Sequence, residues 1–117
     1  MQVKILIDLA IDTHLLVQSC EKDAKLYGLL QIYDAFGDEK YLLMIAKRLW
    51  NNSSYAELML KICGEDIFSF YHHSDWVFGF ETSDENAALF KMASPSPKAI
   101  QIIYPKKMKP EELAFSV

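Results

Sequence analysis

A long stretch of helical periodicity limits the possible folds more than any other feature of the sequence. Apolar residues recur at Leu26, Leu29, Leu30 and Tyr33, and Gly37 follows where a left-handed helix cap is expected. Asp38 is placed to cap a second helix at its start. The apolar face of that second helix contains Leu42, Ile45, Ala46 and Leu49. The sequence therefore predicts a helical hairpin.

The hairpin also carries a resemblance to a known architecture. Residues 28–46 resemble the helix-turn-helix units of α/α-toroid carbohydrate enzymes, and the matching positions are Gly28, Leu29, Leu30, Tyr33, Gly37, Asp38, Tyr41, Leu42 and Ala46. Those enzymes close a ring of many helices, for which 117 residues are too few. The resemblance implies a pair of helices, and we infer no function from it.

Two further helices are predicted directly after the hairpin. Ser54 and Glu57 have the spacing of a capping box, and Gly64 is placed to end the helix that follows. Residues 65–73 are expected to form a short helix with Ile67, Phe70 and Tyr71 on one side.

Residues 2–19 fit two patterns. Val3, Ile5, Ile7, Leu9 and Ile11 alternate as in a strand, whereas another set has helical spacing: Val3, Leu6, Ile7, Ala10, Ile11 and Leu15. We favour a helix, because the segment is longer than a typical strand and contains neither Gly nor Pro.

The period changes towards the end of the chain. Residues 76–81 alternate as in a half-buried strand, and Thr82 with Glu85 predicts a helix that ends before Ser94-Pro95. Residues 99–104 are β-branched enough to form a strand, which we expect to pair with residues 76–81. The predicted fold is α+β: one domain over residues 1–117, with a helical N-terminal two-thirds packed on a small C-terminal sheet.

Composition limits the location of the protein. Cys20 and Cys63 lie far apart, without the spacing of a metal site or a secreted disulfide scaffold, so we expect buried, reduced thiols in the cytoplasm. Asp8 and Asp12 interrupt the apolar N-terminal run, which argues against a signal peptide. No run is long enough to cross a membrane.

Charge is unevenly distributed along the chain. The net charge is −4, which argues against a general nucleic-acid-binding surface. Residues 62–90 carry six acids and no lysine or arginine, whereas residues 91–110 carry five lysines and no acid. Seven aromatic residues accompany the acids: Phe68, Phe70, Tyr71, Trp76, Phe78, Phe80 and Phe90.

Carboxylates that accompany aromatic residues suit docking onto a basic protein, because charge steers the encounter and aromatic side chains anchor the interface. We therefore expect a small acidic protein that inhibits a basic partner, as bacterial immunity proteins inhibit toxins. The expected contact residues are Asp75, Trp76, Glu81, Asp84 and Glu85. Neither a cofactor nor a metal is expected, and no catalytic motif is present.

Three alternatives remain open. A small hydrolase or metal-dependent enzyme would use His72, His73 and Asp75, with His14 as a further candidate. A scaffold or adaptor would use the apolar surface of residues 26–50. A homodimer would pair the acidic segment with Lys98, Lys106, Lys107 and Lys109.

Overall fold

A computed structural model describes residues 1–105, and this part of the chain forms an α+β fold. It contains five α-helices and one four-stranded antiparallel sheet. In chain order the elements are β1 (Gln2–Asp8), α1 (Thr13–Lys22), α2 (Ala24–Phe36), α3 (Glu39–Asn52), α4 (Ser54–Cys63), β2 (Phe68–Ser74), β3 (Val77–Ser83), α5 (Asp84–Ala93) and β4 (Ile100–Ile103). The α+β prediction, with helices dominating the first part of the chain, is confirmed.

The sheet has the strand order β2-β3-β1-β4, so the first strand of the chain occupies an inner position. Ile5 pairs with Phe80 of β3 on one side and with Ile102 of β4 on the other. The prediction that residues 99–104 pair with residues 76–81 is therefore wrong. β1 separates the two strands that were expected to be neighbours.

The helix predicted over residues 2–19 is also wrong, because the segment contains strand β1, a turn and helix α1. The alternating residues Val3, Ile5, Ile7 and Leu9 are almost fully buried. Asp12 ends the turn and caps α1, accepting a hydrogen bond from the Leu15 amide at 3.1 Å. The segment exceeds the length of a strand because it holds two elements.

The helical hairpin of α2 and α3 is confirmed. Gly37 adopts the left-handed conformation with φ of 65°, and the Asp38 carboxylate accepts from the Lys40 amide at 3.1 Å. A second link joins the two helices, since Asp23 caps α2 through the Leu26 amide and also accepts from Arg48 Nε at 2.6 Å. The Arg48 hydrogen bond is the main cause that lowers the pKa of Asp23.

The short helix predicted over residues 65–73 is wrong as well. A single 3₁₀ turn covers residues 64–66, and strand β2 follows. Gly64 has a φ of 52° and ends α4 as predicted. β2 is extended because its residues pair with β3, for example His72 with Phe78 and Tyr71 with Gly79.

Both predicted capping boxes lie one residue away from the observed helix caps. Ser53, rather than Ser54, precedes α4, and its hydroxyl donates to the Trp50 carbonyl at 2.6 Å. Ser83, rather than Thr82, caps α5 by accepting from the Asn86 amide at 3.2 Å. Thr82 is completely buried at the end of β3.

One face of the sheet carries the core. Phe80 packs edge-on against Phe90 of α5, and Tyr55 of α4 donates a hydrogen bond to Asp12 at 2.8 Å. The residues of β1 and β3 that point away from this face are Gln2, Lys4, Leu6, Asp8, Val77, Gly79, Glu81 and Ser83. Within residues 1–105, no helix is both long and apolar enough to cross a membrane.

Candidate functional site

Five carboxylates lie where β2 begins and β3 leads into α5. We call this surface the acidic end, and it consists of Glu65, Asp66, Glu81, Asp84 and Glu85. Side-chain contacts connect its parts. Gln2 donates to Glu81 at 3.1 Å, and Asn86 of α5 reaches back towards Asp66 at 3.4 Å. Cations near these carboxylates include Lys4, which lies opposite Glu81 in the sheet, the Met1 amino group, 3.7 Å from Asp84, and Lys61 in the last turn of α4.

The acidic end has an aromatic neighbour that sequence reasoning did not select. Phe68 lies directly opposite Glu81 on β2, on the sheet face that points away from the helices. Its side chain is 48% exposed. A half-exposed phenyl ring beside a carboxylate combines an apolar anchor with a steering charge.

A bulge in β2 explains the position of Phe68. Phe68 pairs with Glu81 and Tyr71 pairs with Gly79, so β2 uses one more residue than β3 over this interval. Ser69 accommodates the extra residue with a φ of 53°. The bulge places Phe68 and Tyr71 on one face of the sheet and Phe70 and His72 on the other. Regular alternation cannot predict this change of side.

The five predicted contact residues do not form one surface. Glu81, Asp84 and Glu85 belong to the acidic end, whereas Asp75 and Trp76 lie in the turn before β3. At 3.3 Å per residue, β3 separates the two groups by about 20 Å. Trp76 is partly buried against the core, and its carbonyl accepts from the Leu9 amide. Asp75 is exposed, with a φ of 39°.

The aromatic residues of this segment divide between the core and the surface. Phe78, Phe80 and Phe90 are buried, whereas Phe68 and Phe70 are about half exposed. Phe70 lies beside Trp50 of α3, with ring centroids 5.3 Å apart. The aromatic residues of this segment are therefore partly structural, and Phe68 is the one placed among the carboxylates.

The histidines of the enzyme hypothesis do not converge. The His72 ring lies edge-on against Phe78 on the helix side of the sheet, and its Nε2 donates to the Asp75 backbone carbonyl at 2.8 Å. His73 is exposed on the opposite face, and His14 lies on α1. In the described part of the chain, no three His, Cys, Asp or Glu side chains form a group that could hold a metal ion.

Neither cysteine shows the chemistry of an activated nucleophile. Cys63 is buried, and burial raises the pKa of its thiol. Cys20 is partly exposed rather than buried as expected, and partial burial together with the charge of Asp23 raises its pKa. Both groups are therefore protonated thiols at neutral pH, which makes them weak nucleophiles.

The helical hairpin exposes several large apolar side chains. Phe36, beside the turn between the two helices, is 78% exposed. The others are Tyr27, Ile32, Leu43 and Met44.

The homodimer hypothesis relies on four lysines. Lys98 lies beside the sheet face that points away from the helices, whereas Lys106, Lys107 and Lys109 lie outside the described residues.

Comparison with known proteins adds no relative to this description. No protein-family model matches the chain, and neither a curated protein nor a solved structure matches it.

Proposed function

We propose that this protein is a small interaction module that binds and inhibits a basic partner, such as a bacterial toxin domain, through the acidic end. The observation that carries the proposal is the position of Phe68, half exposed and directly opposite Glu81. Four further carboxylates lie in the segments that adjoin this pair, just before β2 and just after β3: Glu65, Asp66, Asp84 and Glu85. The surface is thus able to attract a cationic partner and also to anchor it.

Inhibition would use the same lysine and arginine side chains with which a basic active site binds its substrate. A site that binds phosphate groups presents lysine or arginine side chains, which form charge-assisted hydrogen bonds with carboxylates as well as with phosphates. Glu81 and Glu85 would occupy those cations, and Phe68 would fill an adjoining apolar pocket. The partner is then blocked by occupation of its site, and no reaction on the inhibitor is needed.

The proposed contact surface differs from the set predicted from the sequence. Glu81, Asp84 and Glu85 remain, and Glu65, Asp66 and Phe68 join them. Asp75 and Trp76 are left out because β3 separates them from the acidic end. We place this function in the cytoplasm, because both cysteines are free thiols despite the partial exposure of Cys20.

The proposal is tested by capturing partners from a lysate of the source cells with three forms of the tagged protein. These are the wild type, the double variant Glu65→Lys and Glu85→Lys, and a matched control with Glu21→Lys and Asp34→Lys. All four positions are exposed, and both variants change the net charge equally. We expect wild type and control to bind one basic partner, and the acidic-end variant to bind it at least about tenfold more weakly.

Inhibition is measured on the captured partner after purification. Wild type should abolish its toxic activity, and the acidic-end variant should not. Affinity should also fall between low and moderate ionic strength, because the encounter is electrostatic. Equal binding by the acidic-end variant, or binding that leaves the partner fully active, would contradict the proposal.

A second candidate function is an adaptor that binds through the helical hairpin. The observation in its favour is the exposure of Phe36, together with Tyr27, Ile32, Leu43 and Met44 on the same pair of helices. Exposed apolar side chains that form a contiguous patch are typical of protein-binding surfaces. The substitution Phe36→Ser in the same capture experiment separates the two candidates, since its loss of binding would assign the contact to the hairpin.

A further inference from the structure

A groove of about 520 Å³ lies between α3 and the edge strand β2, on the helix side of the sheet. Three of the aromatic residues that line it have ring centroids 5.1 to 5.9 Å apart: Trp50, Phe70 and Phe78. Trp50 and Phe78 are buried and support Phe70, which is 44% exposed. The groove therefore presents an aromatic surface that its neighbours hold in place.

The polar side chains that line the groove include a positive charge and no negative one. Lys47 and Asn51 lie one helical turn apart on α3, so their side chains share a side of the helix. Both are exposed, and no carboxylate lines the groove among the described residues. The Nε2 of His72 already donates to the Asp75 carbonyl. Among the described residues that line the groove, the exposed donors are thus the Lys47 ammonium group and the Asn51 amide, since the Tyr71 hydroxyl is buried.

We propose that this groove binds a small planar aromatic carboxylate. Its ring would lie against Phe70 and the neighbouring edge of Trp50, because aromatic rings prefer offset-stacked or edge-on contacts. Its carboxylate would face Lys47 and Asn51, where it gains a charge-assisted hydrogen bond. The volume of the groove and its apolar lining with few polar groups are typical of small-molecule sites.

The shape of β2 favours a small molecule over an added peptide strand. An extended peptide pairs with a regular strand edge, whereas β2 has interruptions of its register between Phe68 and Tyr71 and between His72 and Ser74. The site is independent of the proposed partner surface. Phe68 and Glu81 lie on the opposite face of the sheet, so a ligand in the groove leaves them accessible.

The test uses naphthalene-2-carboxylate and its neutral analogue naphthalene-2-carboxamide as probes. Binding is followed by NMR through the indole N–H signals of Trp50 and Trp76. Trp76 serves as an internal control because it does not line the groove. We expect the carboxylate to shift the Trp50 signal and leave the Trp76 signal unchanged, with a dissociation constant of about 1 mM or lower for a ligand of this size.

The charge requirement is tested with Lys47→Gln. This variant should bind the carboxylate about tenfold more weakly and should bind the carboxamide as wild type does. Lys40→Gln is the matched control, because Lys40 lies two turns earlier on α3 and outside the groove. The proposal is overturned if the Trp50 signal responds to neither probe, if both probes bind equally, or if the two lysine variants behave alike.

Discussion

At the scale of single residues, Asp23 connects the two helices of the hairpin, α2 and α3. One carboxylate oxygen caps α2 through the Leu26 amide, and the other accepts from Arg48 and from Asn52 Nδ2 of α3. These hydrogen bonds favour the ionised carboxylate and lower its pKa, with the Arg48 contact as the largest cause. Asp23 therefore stabilises the fold more when it is charged than when it is protonated.

The substitution Asp23→Asn tests this dependence on charge. Asn keeps a cap acceptor but loses the charge that attracts Arg48. Because the folded pKa of Asp23 is lowered, its contribution is complete above the ordinary pKa of about 3.9 and is lost as the pH falls towards the folded value. We expect wild type to be more stable than Asp23→Asn at pH 7, and this difference to shrink below about pH 4.

Urea denaturation of both proteins between pH 7 and pH 2 measures this difference. A stability difference that stays constant over the whole range would show that the charge of Asp23 plays no part. Glu21→Gln is a control for general acid effects, because Glu21 is exposed near the end of α1.

Helix caps could be predicted from the sequence where they depend only on adjacent residues. Gly37 and Asp38 were identified from the sequence, since a left-handed glycine and a capping aspartate need only their own helix ends. The caps of α4 and α5 were each placed one residue off. Both regions contain two consecutive hydroxyl residues, and at α5 the burial of Thr82 leaves Ser83 as the cap.

At the scale of elements, β2 and β3 are held in register by a tyrosine lying over a glycine. A Cβ atom built on Gly79 would meet Tyr71 Cζ at 2.7 Å and Leu6 Cδ2 at 3.0 Å. The Tyr71 hydroxyl is buried and has no hydrogen-bond partner among the described residues. The absence of a side chain at Gly79 therefore creates the space in which Tyr71 rests.

The substitution Gly79→Ala should destabilise the protein by about 1–3 kcal/mol, because the added methyl group overlaps the Tyr71 ring. In a Tyr71→Ala background the same change should cost much less, since alanine is no worse than glycine within a strand. Denaturant unfolding of the four proteins gives the coupling energy of this pair. Equal effects in both backgrounds would show that Tyr71 is not the obstacle.

Elements were harder to predict where one segment fits two periods. Val3, Ile5 and Ile7 occupy a strand because β3 and β4 supply hydrogen-bond partners on both sides, and neither partner is visible from residues 2–19 alone. β2 was missed for a related reason. Its bulge at Ser69 breaks the alternation that would have revealed a strand.

At the scale of the whole molecule, β1 connects the start of the described chain with its last strands, because it pairs with β3 on one side and β4 on the other. Ile5 is completely buried, with Phe80 on one side and Ile102 on the other. The substitution Ile5→Ala should lower the free energy of unfolding by about 2–5 kcal/mol, because it leaves a cavity in the centre of the sheet. That loss is a large share of the stability of an ordinary small domain.

Ile103→Ala is the matched control for this prediction, because Ile103 pairs with Lys4 on the outer strand and is 39% exposed. It should cost less than about 1.5 kcal/mol, since less apolar surface is lost from the interior. Chemical denaturation measures both values. A smaller effect at Ile5 than at Ile103 would contradict the central role of β1.

The fold class could be predicted from local sequence patterns, whereas the candidate site could be predicted only in part. Glu81, Asp84 and Glu85 lie close together in sequence, so their proximity in the structure was foreseeable. Asp75 and Trp76 are also close in sequence, but an extended strand carries them away. Phe68 comes to Glu81 through strand pairing and a bulge, neither of which periodicity reveals.

The inner position of β1 determines when the sheet can form during synthesis of the chain. A ribosome makes β1 well before its two partners, β3 and β4, which come from the last third of the described chain. Helices α1–α4 depend on nearer contacts and can form earlier. At ordinary rates of translation, the apolar row of Val3, Ile5 and Ile7 waits about 5 to 20 s for its neighbours. During that interval β1 lacks both of its neighbours, so the sheet cannot be completed until β3 and β4 have been made.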